Sequence, residues 1–317
     1  MQSYFNLDWK IHLLNKILSA SKPLDQMDLD ELREASERPI PSVLERVLAG
    51  KRIALMEVIQ QTIRGRHGDI PIRLYYPSTQ TTLPLVLFFH GGGWVYGNFQ
   101  THDRMCRRIA RDTGAIVLAV RYRLAPFFKY PTALEDCYDT LLWAVENAHS
   151  LKADPKQVIV MGDSAGGNIA TAVCLMEKDQ GHQLIAKQVL LYPVTSGQLD
   201  QPSIEKNANA PILTKSRMQF FVEQYARDQV DVLQPYFSPL FSQDLSNLPS
   251  ALIITAEYDP LHDQAQAYAQ GLQEAGTSVK LIDYARMIHG FLSFPTFCKA
   301  ALPAFEEVAE HIKSLTI

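Results

Sequence analysis

One serine lies in the pentapeptide Gly-Asp-Ser-Ala-Gly, which occupies residues 162–166. It follows a short apolar run at residues 158–161, typical of a buried strand, and opens a segment of helical character at residues 165–179. A serine on such a strand-to-helix turn presents its hydroxyl beyond the strand end, and the crowding there requires glycine two residues to either side. Because a helix N-terminus favours developing negative charge, the pattern predicts that Ser164 is a nucleophile.

Three consecutive glycines follow a second short apolar run, residues 85–89, with His90 between the run and the glycines. Glycine leaves backbone N–H groups unshielded, so a ligand can approach them closely. An enzyme that transfers acyl groups needs such donors for the oxyanion of its tetrahedral intermediate, each worth ~3 kcal/mol. A phosphate loop is disfavoured because no Gly-Lys-Ser/Thr sequence follows, and His90 is interpreted as a brace of the loop rather than a base. The predicted oxyanion donors are Gly92, Gly93 and Ala165, with Gly91 as a third candidate from the same loop.

A serine nucleophile needs a base, and three histidines follow the later strands of the pattern. When the serine lies on this kind of turn, the chain order is serine, acid, histidine. His289 follows the strand predicted at residues 279–284 and stands beside a glycine, whereas His311 lies in an amphipathic helix. His262 begins a predicted helix and is interpreted as a surface or capping residue. We therefore predict that His289 is the base.

The acid that orients this histidine is expected after the strand at residues 251–255, where three carboxylates lie. Asp263 stands at a helix start, a position where a carboxylate is expected for structural reasons. Asp259 precedes a proline, which fixes a turn and prevents early helix formation, and Glu257 lies two residues before it. The spacing favours Asp259 and leaves Glu257 as the alternative.

Alternating strands and helices must position these residues. Two strands at residues 54–64 and 70–76 come first, and the strands after them are apolar on both faces, as a parallel sheet covered by helices requires. We predict an α/β fold with an open, mostly parallel sheet of about eight strands, in which ligands bind beyond the carboxyl ends. The further predicted strands are residues 85–89, 115–120, 158–161, 188–191, 251–255 and 279–284, and the predicted helices are residues 103–112, 132–149, 165–179, 263–275 and 298–315.

Composition excludes several classes of protein. The 317 residues carry 30 Lys and Arg against 34 Asp and Glu, and a net charge of −4 argues against a nucleic-acid-binding surface. No apolar run approaches the ~20 residues of a membrane helix, and residues 11–20 have the spacing of an amphipathic helix rather than a signal peptide. Four cysteines, each in a segment predicted as helix and none in a CxxC pair, are expected to be buried free thiols. We expect a cytoplasmic protein with no nucleic-acid or membrane partner.

Several separated motifs resemble those of the hormone-sensitive lipase family of α/β hydrolases, and most closely its bacterial acetyl esterase-like branch. The resemblance covers about residues 55–315. Its motifs are His-Gly-Gly-Gly-Trp at 90–94, Tyr-Arg-Leu-Ala-Pro at 122–126, Gly-Asp-Ser-Ala-Gly-Gly-Asn at 162–168, Leu-Tyr-Pro at 191–193, Asp-Pro-Leu at 259–261 and His-Gly-Phe at 289–291.

The resemblance implies a catalytic triad and a domain arrangement. It makes Ser164 the nucleophile and His289 the base, and it selects Asp259 as the acid over Glu257. It also implies one α/β-hydrolase domain over residues 1–317, in which about residues 1–50 and about 195–230 form a helical cap over the site. The pattern alone shows those stretches only as interruptions of the strand–helix alternation.

The sequence departs from the family pattern in two places. Phe127 stands where the family usually has Glu, and the usual Arg-Asp-Glu after Asp-Pro-Leu is His262, Asp263 and Gln264. The first change puts a loop-bracing salt bridge in doubt, while neither change affects the triad.

We predict a serine carboxylesterase that hydrolyses short-chain acyl esters through an acyl-enzyme, without metal or cofactor. Its partner is a small-molecule ester, and it is a monomer or homodimer. The alternatives are an amidase- or lactonase-type hydrolase with the same triad, and a non-catalytic ligand-binding protein on the same scaffold. Large side chains near the motifs either wall the acyl pocket or pack in the core. The candidates for substrate contact are Trp94, Asp163, Tyr192, Phe220 and Phe221.

Overall fold

One sheet of eight strands lies between two layers of helices in the computed structural model, which describes residues 7–80 and 82–314. The strands are β1 (Glu57–Gly65), β2 (Gly68–Tyr76), β3 (Leu83–Phe89), β4 (Ile116–Val120), β5 (Ala153–Asp163), β6 (Lys187–Leu191), β7 (Ser250–Tyr258) and β8 (Val279–Ile288). Their order across the sheet is β1-β2-β4-β3-β5-β6-β7-β8. The β1–β2 and β2–β4 pairs are antiparallel, and all later pairs are parallel.

Helices connect the strands and precede the sheet. They are α1 (Trp9–Leu18), α2 (Leu29–Glu37), α3 (Ser42–Ala49), α4 (Phe99–Thr113), α5 (Thr132–Glu146), α6 (Ala165–Asp179), α7 (Pro202–Lys206), α8 (Lys215–Tyr225), α9 (Gln229–Val232), α10 (His262–Glu274) and α11 (Ala301–Lys313). None of the helices in the described residues has the length and apolar character needed to cross a membrane.

The apolar strands are buried on both faces of the sheet. In β3, Leu85 and Leu87 belong to the core on one side, whereas Val86 and Phe88 belong to the core on the other. This two-sided burial explains why β3 reads as a continuous apolar run rather than an alternating one. The predicted α/β fold with a mostly parallel sheet of eight strands is confirmed.

Several element boundaries differ from the prediction. Helix α4 begins at Phe99 rather than residue 103, because the Asn98 side chain accepts the N–H groups of Gln100 and Thr101 and caps the helix. The four cysteines are free and buried, as predicted. Cys298, however, precedes the first residue of α11 and so does not lie in a helix.

The N-terminal segment and the insertion after β6 contact each other above the sheet. Asp25 lies in a short 3₁₀ turn, accepts a hydrogen bond from the Ser216 hydroxyl at 3.4 Å, and lies 3.7 Å from the Arg217 guanidinium. The Asn98 amide donates to the carbonyl oxygen of Ser36 at 2.6 Å, which ties the end of α2 to the start of α4.

The two departures from the family pattern have local structural counterparts. The Arg33 guanidinium of α2 lies 4.3 Å from the centroid of the Phe127 ring, and such a contact contributes about 0.5–1 kcal/mol at an exposed site. A cation–π contact therefore holds this loop at the position where a salt bridge was expected to be lost. The Gln264 side-chain oxygen accepts the N–H groups of Thr195 and Ser196 at 2.7 and 2.9 Å.

Candidate active site

Ser164 lies on the turn between β5 and α6 with φ 54° and ψ −119°, a conformation that L-residues rarely adopt. A Cβ at Gly162 would lie 2.2 Å from the backbone oxygen of Gly166. A Cβ at Gly166 would lie 1.9 Å from the carbonyl oxygen of Phe89. These distances explain the glycines that flank the serine, since any larger residue would displace backbone. The turn leaves the Ser164 hydroxyl partly exposed beyond the end of β5.

The His289 imidazole joins Ser164 to Asp259. His289 follows the last residue of β8, and its Nε2 lies 2.9 Å from the Ser164 hydroxyl oxygen. Its Nδ1 lies 2.7 Å from Asp259 Oδ2, and the other carboxylate oxygen of Asp259 accepts the N–H of Leu261 at 2.8 Å. Both His289 and Asp259 are buried. The arrangement fits a histidine that carries its proton on Nδ1 and accepts the serine proton on Nε2.

The structure separates the alternatives for acid and base. Glu257 accepts the backbone N–H of Arg286 at 2.8 Å instead of contacting His289. His311 lies in α11, where burial lowers the pKa of its imidazole to about 4. His262 faces Asp283 and Asp263, and the hydrogen bond that its imidazole donates to the Asp283 carboxylate is the largest of the effects that raise its pKa to about 9.

The glycine loop after β3 lies against the serine turn. Gly92 and Gly93 have φ values of 114° and 62°, and a Cβ at Gly92 would lie 2.0 Å from the carbonyl oxygen of Tyr96. Within the described part of the chain, the N–H groups of Gly92, Gly93 and Ala165 have no hydrogen-bond acceptor. They are therefore available to an oxyanion near Ser164.

Gly91, the remaining oxyanion candidate, differs from the other three. The N–H of Gly91 donates to Asp163 Oδ1 at 2.9 Å, so it is already bonded within the protein. Asp163 was expected to contact substrate, but its buried carboxylate faces Gly91 and His102 instead. Burial opposes the ionisation of Asp163, yet His102 and the Gly91 N–H outweigh it, and the pKa of Asp163 is lowered.

His90 braces the loop from below. Its Nδ1 lies 2.8 Å from the carbonyl oxygen of Gly91, and its ring stacks on Tyr122 with centroids 4.3 Å apart. Burial lowers the pKa of His90 to about 3, so the ring is neutral at physiological pH. The contacts match the predicted bracing role, and they place the ring away from Ser164's own partner, His289.

Two aromatic candidates for substrate contact are core residues. The Trp94 ring is buried and stacks on Tyr225 with centroids 4.5 Å apart and planes 9° apart. Tyr192 is equally buried, and its ring meets the His289 ring edge-on at 5.0 Å. Trp94 therefore packs under α8, and Tyr192 supports the histidine from within the protein. Their packing favours the core role over the wall of an acyl pocket, the two alternatives that the sequence left open.

The other two aromatic candidates are less buried. Phe220 and Phe221 are half-buried on α8, with ring centroids 5.7 Å apart. A Cβ at Gly93 would lie 2.2–2.5 Å from three atoms of the Phe221 ring, so this ring covers Gly93 directly. Phe221 thus brings the insertion after β6 against Gly93, one of the predicted oxyanion donors.

Sequence reasoning missed the residues that hold the loop carrying Asp259 and Pro260, called the acid loop below. The Asn207 amide donates to the carbonyl oxygen of Asp259 at 3.1 Å, and the Ser203 hydroxyl donates to that of Pro260 at 2.7 Å. Both lie in or beside α7, a segment with no pattern that pointed to the site. Across residues 7–80 and 82–314, no group of three or more His, Cys, Asp or Glu side chains could hold a metal ion.

Comparisons with known proteins agree with this geometry. A family profile described as alpha/beta hydrolase fold matches residues 86–293. Carboxylic ester hydrolase LipN of Mycobacterium tuberculosis is 39% identical over 288 residues, which cover 88% of this chain and 76% of LipN. Ethyl acetate hydrolase of Pseudomonas putida is 34% identical over 296 residues, 92% of each chain. The solved structure of a hyperthermophilic esterase from the archaeon Pyrobaculum calidifontis matches with a TM-score of 0.88 at 39% identity, covering 96% of this chain and 98% of that one.

Proposed function

We propose a reaction path for a chain that belongs to the hormone-sensitive lipase-like family of α/β hydrolases and is a serine carboxylesterase. One observation carries the proposal: the continuous row of hydrogen bonds from Ser164 through His289 to Asp259, at 2.9 and 2.7 Å. In that row the serine is the nucleophile, the histidine is the general base, and the aspartate fixes the imidazole tautomer.

The reaction proceeds in two steps through an acyl-enzyme. The Ser164 oxygen attacks the ester carbonyl while His289 Nε2 takes its proton, and Asp259 stabilises the resulting imidazolium. The N–H groups of Gly92, Gly93 and Ala165 donate to the oxyanion as it forms, and each donor contributes about 3 kcal/mol. His289 then passes the proton to the leaving alcohol. Water, activated by the same histidine, hydrolyses the acyl-enzyme and restores the serine.

The preferred substrates in this proposal are small esters with short acyl chains. The acyl chain of a bound ester extends from the carbonyl carbon, which lies between the Ser164 hydroxyl and the oxyanion donors. An aromatic ring that covers Gly93 therefore limits the space for a longer acyl chain. Phe221 is that ring, with Phe220 beside it. The similarity to an ethyl acetate hydrolase of Pseudomonas putida agrees with this preference.

A series of p-nitrophenyl esters from acetate to palmitate tests the proposed preference. We expect kcat/KM to peak among esters shorter than octanoate and to fall steadily beyond it. A peak at the long-chain end would reject the short-chain preference while leaving the ester hydrolase chemistry in place.

The remaining features of the proposal concern the cap, the location and the assembly. We propose that about residues 1–50 and 195–230, called the cap segments below, cover the site. The contacts of Asp25 with Ser216 and Arg217 support this, as does the position of Phe221. The four buried free thiols support a cytoplasmic location, where cysteines stay reduced. A monomer or homodimer is proposed because one chain supplies the triad and the oxyanion donors.

A further inference from the structure

A single carboxylate holds both ends of the oxyanion loop. Asp163, the residue before the nucleophile, accepts the N–H of Gly91 at 2.9 Å, where the loop leaves β3. The same carboxylate lies 3.3 Å from His102 Nε2, in the first turns of α4, where the loop has ended. The loop between these two anchors contains Gly92 and Gly93, the proposed oxyanion donors.

The contact between Asp163 and Gly91 depends on the absence of a side chain. A Cβ at Gly91 would lie 2.5 Å from Asp163 Oδ2 and 2.9 Å from the Asp163 carbonyl oxygen. Register explains the approach, since Phe89 at the end of β3 pairs with Gly162 at the end of β5. The Asp163 carboxylate therefore reaches from the end of β5 to the loop that follows the neighbouring strand, β3.

His102 is itself held in place by several contacts. Its Nδ1 lies 2.8 Å from the Thr101 hydroxyl, and its ring centroid lies 5.7 Å from that of Phe88 and 5.6 Å from that of His90. Because an ionised carboxylate can only accept hydrogen bonds, His102 Nε2 carries the proton that it directs at Asp163. Two donors thus satisfy a carboxylate that would be costly to bury alone.

We propose that Asp163 is a positioning residue for ester hydrolysis, which acts through the Gly91 N–H to preset the oxyanion donors at Gly92 and Gly93. This inference rests on the proposed function of those donors. Preorganised donors stabilise charge that exists only in the transition state, so loosening the loop lowers kcat and leaves substrate binding nearly unchanged. His102 secures the second anchor.

Graded variants of Asp163 test this role. Asp163→Ala removes the acceptor of Gly91, and we expect kcat per active site to fall about 100-fold, the effect of losing one oxyanion donor, with KM changed less than threefold. Asp163→Asn keeps an oxygen for Gly91 and should restore most of the rate. His102→Gln retains the Asp163–Gly91 bond and should cost several-fold. Asp103→Asn is the matched control. It changes a buried carboxylate that lies next to His102 on α4 but faces Arg52 and Arg107.

The decisive readout is the affinity for an alkyl trifluoromethyl ketone, which forms a tetrahedral oxyanion adduct with a serine. We expect its Ki to rise across the Asp163 and His102 variants in proportion to the loss of kcat/KM, and to stay unchanged in Asp103→Asn. Active sites are counted first by phosphonate titration. An absence of labelling at Ser164 in the unmodified protein would overturn the proposed function itself.

The inference about Asp163 would be overturned separately. If Asp163→Ala is labelled normally at Ser164 and loses kcat, but binds the ketone with unchanged affinity, Asp163 has only a structural role. The same conclusion follows if Asp163→Ala keeps its kcat within threefold. Should the alanine variant fail to fold, His102→Gln decides: a loss of kcat with unchanged ketone affinity in this variant, or no loss of kcat at all, rejects the proposal.

Discussion

The strand ends and the proposed cap segments differ in how they would contribute to the ester site. At the strand ends, backbone geometry fixes the chemistry: Ser164 has a positive φ, and neighbouring glycines leave no space for a Cβ. In the cap segments, side chains make the contacts. Helix α8 buries Met218 and Tyr225, while Phe220 and Phe221 remain half-exposed.

This difference predicts that the strand ends control the rate of hydrolysis of all esters, whereas the cap segments control the preference among esters. A change at a strand end disturbs hydrogen bonds of 2.7–2.9 Å among buried groups, so it should affect every ester alike. A change in the cap segments alters the space around the acyl chain, so it should affect some esters more than others. The following variants test this separation.

The largest effect is expected at the acid of the triad. Asp259→Asn leaves the shape of the site intact but allows the wrong imidazole tautomer, and we expect kcat to fall by about 10⁴-fold. The order of preference along the p-nitrophenyl ester series should not change. Glu257→Gln is the matched control, since Glu257 accepts the N–H of Arg286 rather than contacting His289, and its kcat should stay within threefold. A comparable loss in both variants would contradict the assignment of the acid.

An intermediate effect is expected in the cap segments. Phe221→Ala removes the ring that covers Gly93, and we expect the ratio of kcat/KM for octanoate to that for acetate to rise about tenfold, the scale of methylene discrimination in apolar pockets. The kcat for acetate should change only a few-fold. Phe220→Ala, on the neighbouring ring, should shift the ratio less. An equal loss on all esters would show that α8 controls rate and would break the separation.

The smallest effect is expected where the acid loop meets α10. His262 has a folded-state pKa of about 9 against 6.5 when unfolded, so the folded protein retains a proton that the unfolded chain releases. Its stabilisation is therefore complete below pH 6.5 and is lost as pH rises through about 9. The Tm difference between the unmodified protein and His262→Gln should shrink by about 2 °C between pH 6 and pH 10. A difference that grows with pH would contradict the contacts with Asp263 and Asp283.

The strand ends could be predicted from the sequence more fully than the rest of the site. Ser164 emerged from a short apolar run followed by a glycine-flanked turn, because the pattern of a buried parallel strand marks where the chain leaves the sheet. His289 emerged from its loop position after the strand predicted at residues 279–284, beside a glycine. Spacing alone could not separate Asp259 from Glu257, since both follow β7. The choice needed the family resemblance, and only Asp259 lies within hydrogen-bond distance of His289.

Contacts between distant residues explain what the sequence could not predict. The acceptor that occupies the Gly91 N–H lies 72 residues away, and no local pattern reports that pairing. Trp94 and Tyr192 are large aromatic residues beside the motifs, but their type does not reveal that they point into the core. Residues 195–234 interrupt the strand–helix alternation, so the contacts of Phe221 and Asn207 became visible only in the fold.

The central claim is that Ser164 is the nucleophile of a serine carboxylesterase, and mass spectrometry after reaction with the organophosphate paraoxon tests it most directly. The account predicts a single diethylphosphoryl adduct on the peptide that carries Ser164, with esterase activity lost in step with labelling. Ser164→Ala should acquire no adduct and retain no more than a trace of activity. An adduct on a different residue, or substantial ester hydrolysis by Ser164→Ala, would contradict the account.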